Sequence, residues 1–203
     1  AACRTCYNRD RLNPAEARRL TFRQIESIAK SVPNLILLSL SGGEPFLHPD
    51  LPGIVALFDR HARPAFIGIP TGGLHPETIE SSLKRICAST SSIITLDLSL
   101  DGIGVEHDRL RGFAGNFERL TETYDRVALL AERYANLQIS VNTCVSRFNR
   151  HHLQELSLWV ERHWPRARGH SFSPVRSVDV QHGLLSGEEQ GRMMEQLTAM
   201  LSK

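Results

Sequence analysis

The sequence predicts an α/β fold built on a parallel sheet. Short apolar runs alternate along the chain with amphipathic helical stretches, and that alternation is the signature of repeated βαβ units with right-handed crossovers. The first of these runs, Leu35 to Leu40, is continuously apolar, as expected of a strand covered on both faces. Several end in glycine-containing turns, which punctuate strands.

The elements follow in order. Thr21 to Val32 supplies a helix. Leu35-Ile36-Leu37-Leu38-Ser39-Leu40 is an unbroken apolar run stopped by Gly42-Gly43, which predicts a strand buried on both faces. His48-Pro49-Asp50 opens a helix running to about Ala62. Phe66 to Pro70 is a second strand, closed by Thr71-Gly72-Gly73. Pro76 starts a helix with Ile79, Leu83 and Ile86 on one face, and Ile93 to Leu98 is a third strand. Asn116 to about Tyr134 repeats Leu120, Tyr124 and Val127 on a buried stripe. Leu137 to Val145 is a fourth strand, His151 to about His163 a helix, and His170 to Ser173 a short last strand. Glu188 to Leu201 is a final helix that Ser186 can cap. A helix precedes the first apolar run, so a further strand is expected ahead of Cys3. The chain starts at Ala1-Ala2-Cys3 without a methionine, so a preceding segment is expected too.

Of the 203 residues, 41% are hydrophobic and 23% charged, a composition that fits one soluble globular domain over 1–203. Residues 177–203, in and after an irregular stretch, are a possible start of a C-terminal extension. A net charge of +2 with acids and bases interspersed gives no electrostatic case for nucleic acid or an anionic membrane. No apolar run approaches the roughly 20 residues a spanning helix needs. Four cysteines, Cys3, Cys6, Cys87 and Cys144, are too few and too scattered for a disulfide framework. They suit a reducing compartment, the cytoplasm.

In parallel α/β folds, ligands bind beyond the carboxyl ends of the strands. Those ends carry Ser41-Gly42-Gly43-Glu44-Pro45, Thr71-Gly72-Gly73, Ser99-Leu100-Asp101-Gly102 and Asn142-Thr143. Paired glycines admit a ligand close to the backbone, and the carboxylates can accept from an ammonium group. Taken singly, each segment reads equally as an ordinary turn or cap. Cys3-x-x-Cys6 is open to three readings: half a zinc site, a redox dithiol, or part of an iron–sulfur site. Cys87 and Cys144 read as core, with Cys144 placed to line a pocket beside Asn142. His48 caps the following helix with Asp50, His151-His152 is exposed, and Trp159 and Trp164 pack.

Taken together, the segments resemble the radical S-adenosylmethionine (SAM) superfamily. Cys3-Arg4-Thr5-Cys6 is similar to the last two cysteines of that family's Cys-x-x-x-Cys-x-x-Cys loop, which puts the first cysteine two positions ahead of Ala1. Ser41 to Pro45 resembles the glycine-glycine-glutamate motif, Ser99 to Gly102 the motif after the fourth strand, and Asn142 the ribose-contacting position of the fifth. His107-Asp108-x-x-Arg111-Gly112 resembles the stretch that follows in members similar to the molybdenum-cofactor cyclase and the peptide-modifying maturases. Thr71-Gly72-Gly73 departs from the common Thr-Asn-Gly, removing an amide near SAM or substrate, and Thr5 stands where an aromatic residue is frequent.

The resemblance implies a partial (β/α)6 TIM-like barrel whose first strand lies outside the chain. It implies a 4Fe-4S cluster on Cys3, Cys6 and the upstream cysteine, with one iron left to SAM. A reduced cluster of this kind cleaves SAM to a 5′-deoxyadenosyl radical that abstracts hydrogen from substrate, the cofactor carrying the hard chemistry. Gly43 and Glu44 are then expected to hold the methionine amine, Gly42 and Thr71 to belong to the same SAM-binding set, and Ser99 and Asn142 to bind carboxylate or ribose. Asp101 orients its loop or meets substrate. Arg111 pairs with the SAM carboxylate or an anionic substrate group, against the equal reading that it and His107 are a solvated pair at a helix start. The implied partners are a small-molecule or peptide substrate and an electron donor such as flavodoxin or ferredoxin. Two alternatives stand beside this: a non-catalytic iron–sulfur or zinc-binding module, and a phosphate-binding α/β barrel enzyme using its glycines as cradles.

Overall fold

A computed structural model of the chain describes residues 3–6, 20–176 and 184–201. Among the described residues, five strands, β1 (Leu37–Ser39), β2 (Phe66–Thr71), β3 (Ile93–Ser99), β4 (Leu137–Val145) and β5 (Ala167–Pro174), are hydrogen-bonded in the order they occur along the chain, the α/β architecture expected. The helices are α1 (Phe22–Ser31), α2 (Leu51–Ala62), α3 (Pro76–Ser89), α4 (Val105–Arg111), α5 (Asn116–Arg133), α6 (Leu153–His163) and α7 (Gly187–Leu201). The chain divides into two compact units. One comprises Ala1–Leu12, Leu100–Phe117 and Val141–Lys203, and the other Asn13–Ser99 and Glu118–Ser140.

In the unit built on Asn13–Ser99, β1 pairs with β2 and β2 with β3, all parallel, in a register that sets Ser39 beside Gly68, Ile67 beside Ile94 and Thr71 beside Leu98. Side chains alternate across a strand, and here the two faces differ in chemistry. Ile67 and Ile69 of β2 and Ile94, Leu96 and Leu98 of β3 are fully buried on one face, as are Ile79, Leu83 and Ile86 along the stripe of α3. The other face of β3 carries Thr95, Asp97 and Ser99, all half-buried. Helix starts follow local chemistry. Thr21 and Gln24 close a capping box on α1. Asp50 caps α2 by accepting from the Gly53 N–H at 3.1 Å, while His48 accepts from the Asp50 N–H at 3.2 Å. Pro76 occupies the first turn of α3. The run before Gly42 departs from expectation. Only Leu37–Ser39 is strand, with Leu38 buried but Leu37 57% exposed, because β1 is an end strand of the sheet order.

In the other unit, Val145, Leu153, Leu185 and Met193 form a buried cluster with Phe172 and Leu197 against it. Trp164 is buried, and its ring meets Trp159 edge-on at 5.2 Å, so both tryptophans pack as expected. Ser186 and Glu189 cap α7 reciprocally: the Ser186 N–H donates to the Glu189 carboxylate at 2.8 Å, and the Glu189 N–H to the Ser186 hydroxyl at 3.3 Å. α4 is absent from the sequence reading. It is two turns long, begins after Gly104 and stops at Gly112, which takes a left-handed conformation. His107 on it is fully buried, which overturns the reading of a solvated helix start. The extension expected over residues 177–203 lies partly outside the described residues. Among those described, no helix is long and apolar enough to cross a membrane.

Candidate functional site

The candidate residues divide between the units. Glu44, Gly42, Gly43, Thr71 and Ser99 belong to the unit that contains β1 to β3. Glu44 follows the glycine pair and precedes a single 3-10 turn at Pro45–Leu47, whose N-cap it forms. Its carboxylate accepts from the Phe46 N–H at 3.4 Å, from the Thr71 hydroxyl at 3.0 Å and from the Gly72 N–H at 2.9 Å. Thr71 is buried at the end of β2 and its oxygen also accepts from the Gly73 N–H at 3.0 Å. Burial pushes the Glu44 carboxyl above its usual range, and the three donors only partly offset that. No lysine or arginine is ion-paired to Glu44 among the described residues. A carboxylate offers about four acceptor positions, so Glu44 keeps acceptor capacity for a cationic ligand. Gly42 and Gly43 stand exposed before it. Ser99 closes β3 on the polar face.

Asp97, two residues before Ser99 and not among the expected site residues, accepts a hydrogen bond from the Ser140 hydroxyl. Its signal is present: Thr95, Asp97 and Ser99 alternate with Ile94, Leu96 and Leu98, whereas a parallel strand between two apolar layers is apolar throughout.

Cys3, Cys6, Asp101, Arg111 and Asn142 belong to the other unit. Cys3 and Cys6 are free, half-buried thiols on one turn, closed by the Cys6 N–H donating to the Cys3 carbonyl at 3.3 Å. The Arg4 N–H donates to the Leu110 carbonyl at 2.8 Å, and the Arg4 guanidinium lies 4.1 Å from the centre of the Phe148 ring. Backbone and side chain of Arg4 thus both anchor the turn. Arg111 ends α4. Its Nε lies 2.8 Å from Asp101 Oδ2 and its Nη1 donates to Cys3 Sγ at 3.9 Å. Burial works against its charge, but Asp101 and then Cys3 outweigh burial and hold it more firmly protonated than usual. The solvated alternative is thereby excluded for Arg111 as well.

Asp101 is nearly fully buried and fixed at three points. Its Oδ1 accepts from the Cys144 N–H at 2.8 Å, its carbonyl accepts from Asn149 Nδ2 at 3.0 Å, and its N–H donates to His107 Nδ1 at 3.2 Å. His107 is thus neutral, with Nδ1 bare, and burial first and Arg111 second push it down to about 3. Cys144 is half-buried, and burial and the Asp101 charge push its thiol up to about 11. It interacts with Thr5 and Cys3, so it adjoins the cysteine turn rather than serving only as core. Cys87 is core as expected, pushed up to about 11 by burial. Asn142 directs its amide N–H groups to the hydroxyls of Ser171 at 2.8 Å and Ser173 at 3.0 Å, and its carbonyl oxygen has no hydrogen bond among the described residues.

The two cysteines fit an iron–sulfur cluster as part of its ligand set. They are free and partly accessible, and the Arg111 guanidinium lies against Cys3 Sγ, where it would complement the charge of a ligating sulfur. Among the described residues no group of three or more His, Cys, Asp or Glu gathers to hold a metal, so the pair alone does not make a complete site.

Comparison with known proteins gives the family. The family model of the Radical SAM superfamily matches residues 1–129, well over half of the chain. The chain belongs to the radical SAM superfamily, a family of enzymes. No curated protein matches the chain. Its fold is shared by solved structures, among them the following. Native anSMEcpe with bound AdoMet superposes with a TM-score of 0.71 at 14% identity, over 98% of this chain and 56% of that one. A polyhistidine-tagged anSMEcpe with bound AdoMet gives 0.72 at 16% identity, over 97% and 53%. Native anSMEcpe with bound AdoMet and a Cp18Cys peptide gives 0.65 at 17% identity, over 87% and 47%. The chain spans about half the length of these solved chains.

Proposed function

We propose that the protein is a radical SAM enzyme: Cys3 and Cys6, with a cysteine two places upstream of Ala1, hold a 4Fe-4S cluster, and the glycine-glycine-glutamate segment binds SAM. The observation that carries this reading is Glu44. A carboxylate buried enough to be pushed up in pKa, held by three donors and without a lysine or arginine counter-ion among the described residues, is poised for a ligand cation. The α-ammonium of SAM supplies one. When bound, the cluster and SAM supply one-electron cleavage to a 5′-deoxyadenosyl radical that takes hydrogen from substrate.

The chain's own residues bind and orient. Thr71 and Gly72 aim the Glu44 carboxylate, Gly42 and Gly43 leave room for a ligand against the backbone, Ser99 offers a hydroxyl to carboxylate or ribose, and Asn142 offers its side-chain carbonyl oxygen to a ribose hydroxyl. Asp101 orients the segment after β3. The peptide bound to one structural neighbour favours a peptide over a small molecule as substrate. A low-potential protein such as flavodoxin or ferredoxin would supply the electron.

The test uses the full-length protein reconstituted anaerobically with iron and sulfide. It should turn brown and, given SAM and dithionite, release 5′-deoxyadenosine. Cys3→Ala and Cys6→Ala should lose the cluster, whereas Glu44→Gln should keep it and bind SAM more weakly. A colourless wild-type protein, or a cysteine variant that still loads and cleaves SAM, would overturn the assignment.

A further inference from the structure

We propose that Arg111, braced by Asp101, is a positioning residue for the iron–sulfur cluster: its guanidinium seats the Cys3 sulfur and raises the reduction potential of the cluster bound there. The inference rests on the proposed function and goes beyond it, because the sequence suggests Arg111 as a partner of the SAM carboxylate or of substrate. The geometry points elsewhere. Arg111 contacts two groups of the protein itself, Asp101 at 2.8 Å and Cys3 Sγ at 3.9 Å, with only 15% of its side chain exposed.

The brace is rigid by construction. The Asp101 carboxylate commits one oxygen to the Cys144 N–H and the other to Arg111, while Asn149 and His107 tie its backbone from either side. The guanidinium is therefore aimed before any cluster is present. The cysteine turn is held in the same register, since the Arg4 N–H bonds the carbonyl of Leu110, the residue immediately before Arg111. Moving Cys3 away from Arg111 means breaking that bond and lifting Arg4 off Phe148.

Two physical consequences follow. A planar guanidinium can face a carboxylate as an ion pair and direct an N–H to a sulfur at the same time, which an ammonium on a flexible stem does less well. A fixed positive charge and an N–H donor beside a ligating sulfur favour the cluster state carrying the additional electron, and hydrogen bonds to the sulfurs are among the levers that set cluster potential. A charge acts more strongly when it is largely shielded from water.

The experiment compares full-length wild type, R111Q, R111K and D101N after anaerobic reconstitution, without SAM. Midpoint potentials come from dithionite titration followed by electron paramagnetic resonance, and iron retention from the rate of loss to EDTA. R111Q should shift the midpoint to more negative values by at least a tenfold change in the one-electron equilibrium, about 59 mV, and should lose iron faster. R111K should fall between R111Q and wild type. D101N, which frees the guanidinium from its brace, should lose iron faster than wild type. A loaded R111Q with wild-type midpoint and iron retention overturns the proposal, and doubly so if its SAM affinity falls instead. Should R111Q fail to load, D101N decides: iron loss at the wild-type rate overturns the proposal. Wild type that takes up no cluster sinks the parent reading, whereas loaded wild type with an indifferent R111Q sinks this inference alone.

Discussion

The Thr71 hydroxyl lies 3.0 Å from both carboxylate oxygens of Glu44, so the end of β2 fixes the side chain that follows β1. The two residues are 27 positions apart in sequence. One hydroxyl proton serves one oxygen at a time, and the Gly72 N–H at 2.9 Å holds Oε2 regardless. Glu44 is thus locked in rotamer while still carrying acceptor capacity, the kind of preorganisation that spares a binding site the entropy of ordering its own groups.

Thr71→Val tests this lock. Valine keeps the β-branched shape but leaves Glu44 short of one donor and the Gly73 N–H short of its acceptor. Removing a partner from buried polar groups costs about 1–3 kcal/mol, and urea unfolding at neutral pH should show a loss in that range. Thr71→Ser should recover most of it. The deficit should shrink as the pH falls and Glu44 takes up its proton, because a neutral carboxyl needs donors less. A deficit independent of pH would mean that the charge of Glu44 is not what Thr71 supports.

Gly73 is constrained by both backbone and space. Its φ is +71°, and a Cβ there would come within 2.5 Å of Leu120 Cδ1 and 2.9 Å of Leu120 Cα. A left-handed conformation alone costs a non-glycine residue about 1–2 kcal/mol. Gly73→Ala should therefore destabilise by more than about 2 kcal/mol once the clash is added. Combining it with Leu120→Ala should recover only part of the loss, since the Leu120 Cα remains. Urea midpoints measure both, and a single variant within about 0.5 kcal/mol of wild type would refute the constraint.

Much of this is legible in the sequence, and the exceptions share a cause. Helix starts set by local chemistry can be read directly: Asp50, Pro76 and Ser186 act on residues within a turn of themselves. The glycine-rich strand ends announce where polar groups stand. The burial of β1 is overstated by its sequence because an apolar run records what a strand could bury and not whether a neighbour covers it, and Leu37 is largely exposed. The role of Arg111 is hidden because it depends on contacts 10 and 108 positions away, to Asp101 and Cys3. His107 looks polar and solvated in the sequence, yet α4, too short to announce itself by periodicity, carries it into the interior.

His107 gives the fold a pH dependence whose sign is fixed by its burial. In the unfolded chain this ring titrates at about 6.5, whereas burial and Arg111 push it down to about 3 in the folded chain. The unfolded state therefore binds a proton that the native state refuses throughout that interval. Stability tied to neutral His107 is complete above about pH 6.5 and is lost as the pH falls. His170, pushed down to about 4 by burial, acts in the same direction. Glu44, whose carboxyl is raised, acts in the opposite direction by binding its proton earlier in the native state. Each histidine can contribute a slope of up to about 1.4 kcal/mol per pH unit between its two values. His107→Gln keeps a carbonyl able to accept from the Asp101 N–H but cannot be protonated. It should be less stable than wild type at pH about 7.5, since glutamine fills the ring's place poorly, yet flatter in urea midpoint between about pH 6 and pH 4. A wild-type slope in that variant would assign the acid sensitivity to other groups and remove His107 as its source.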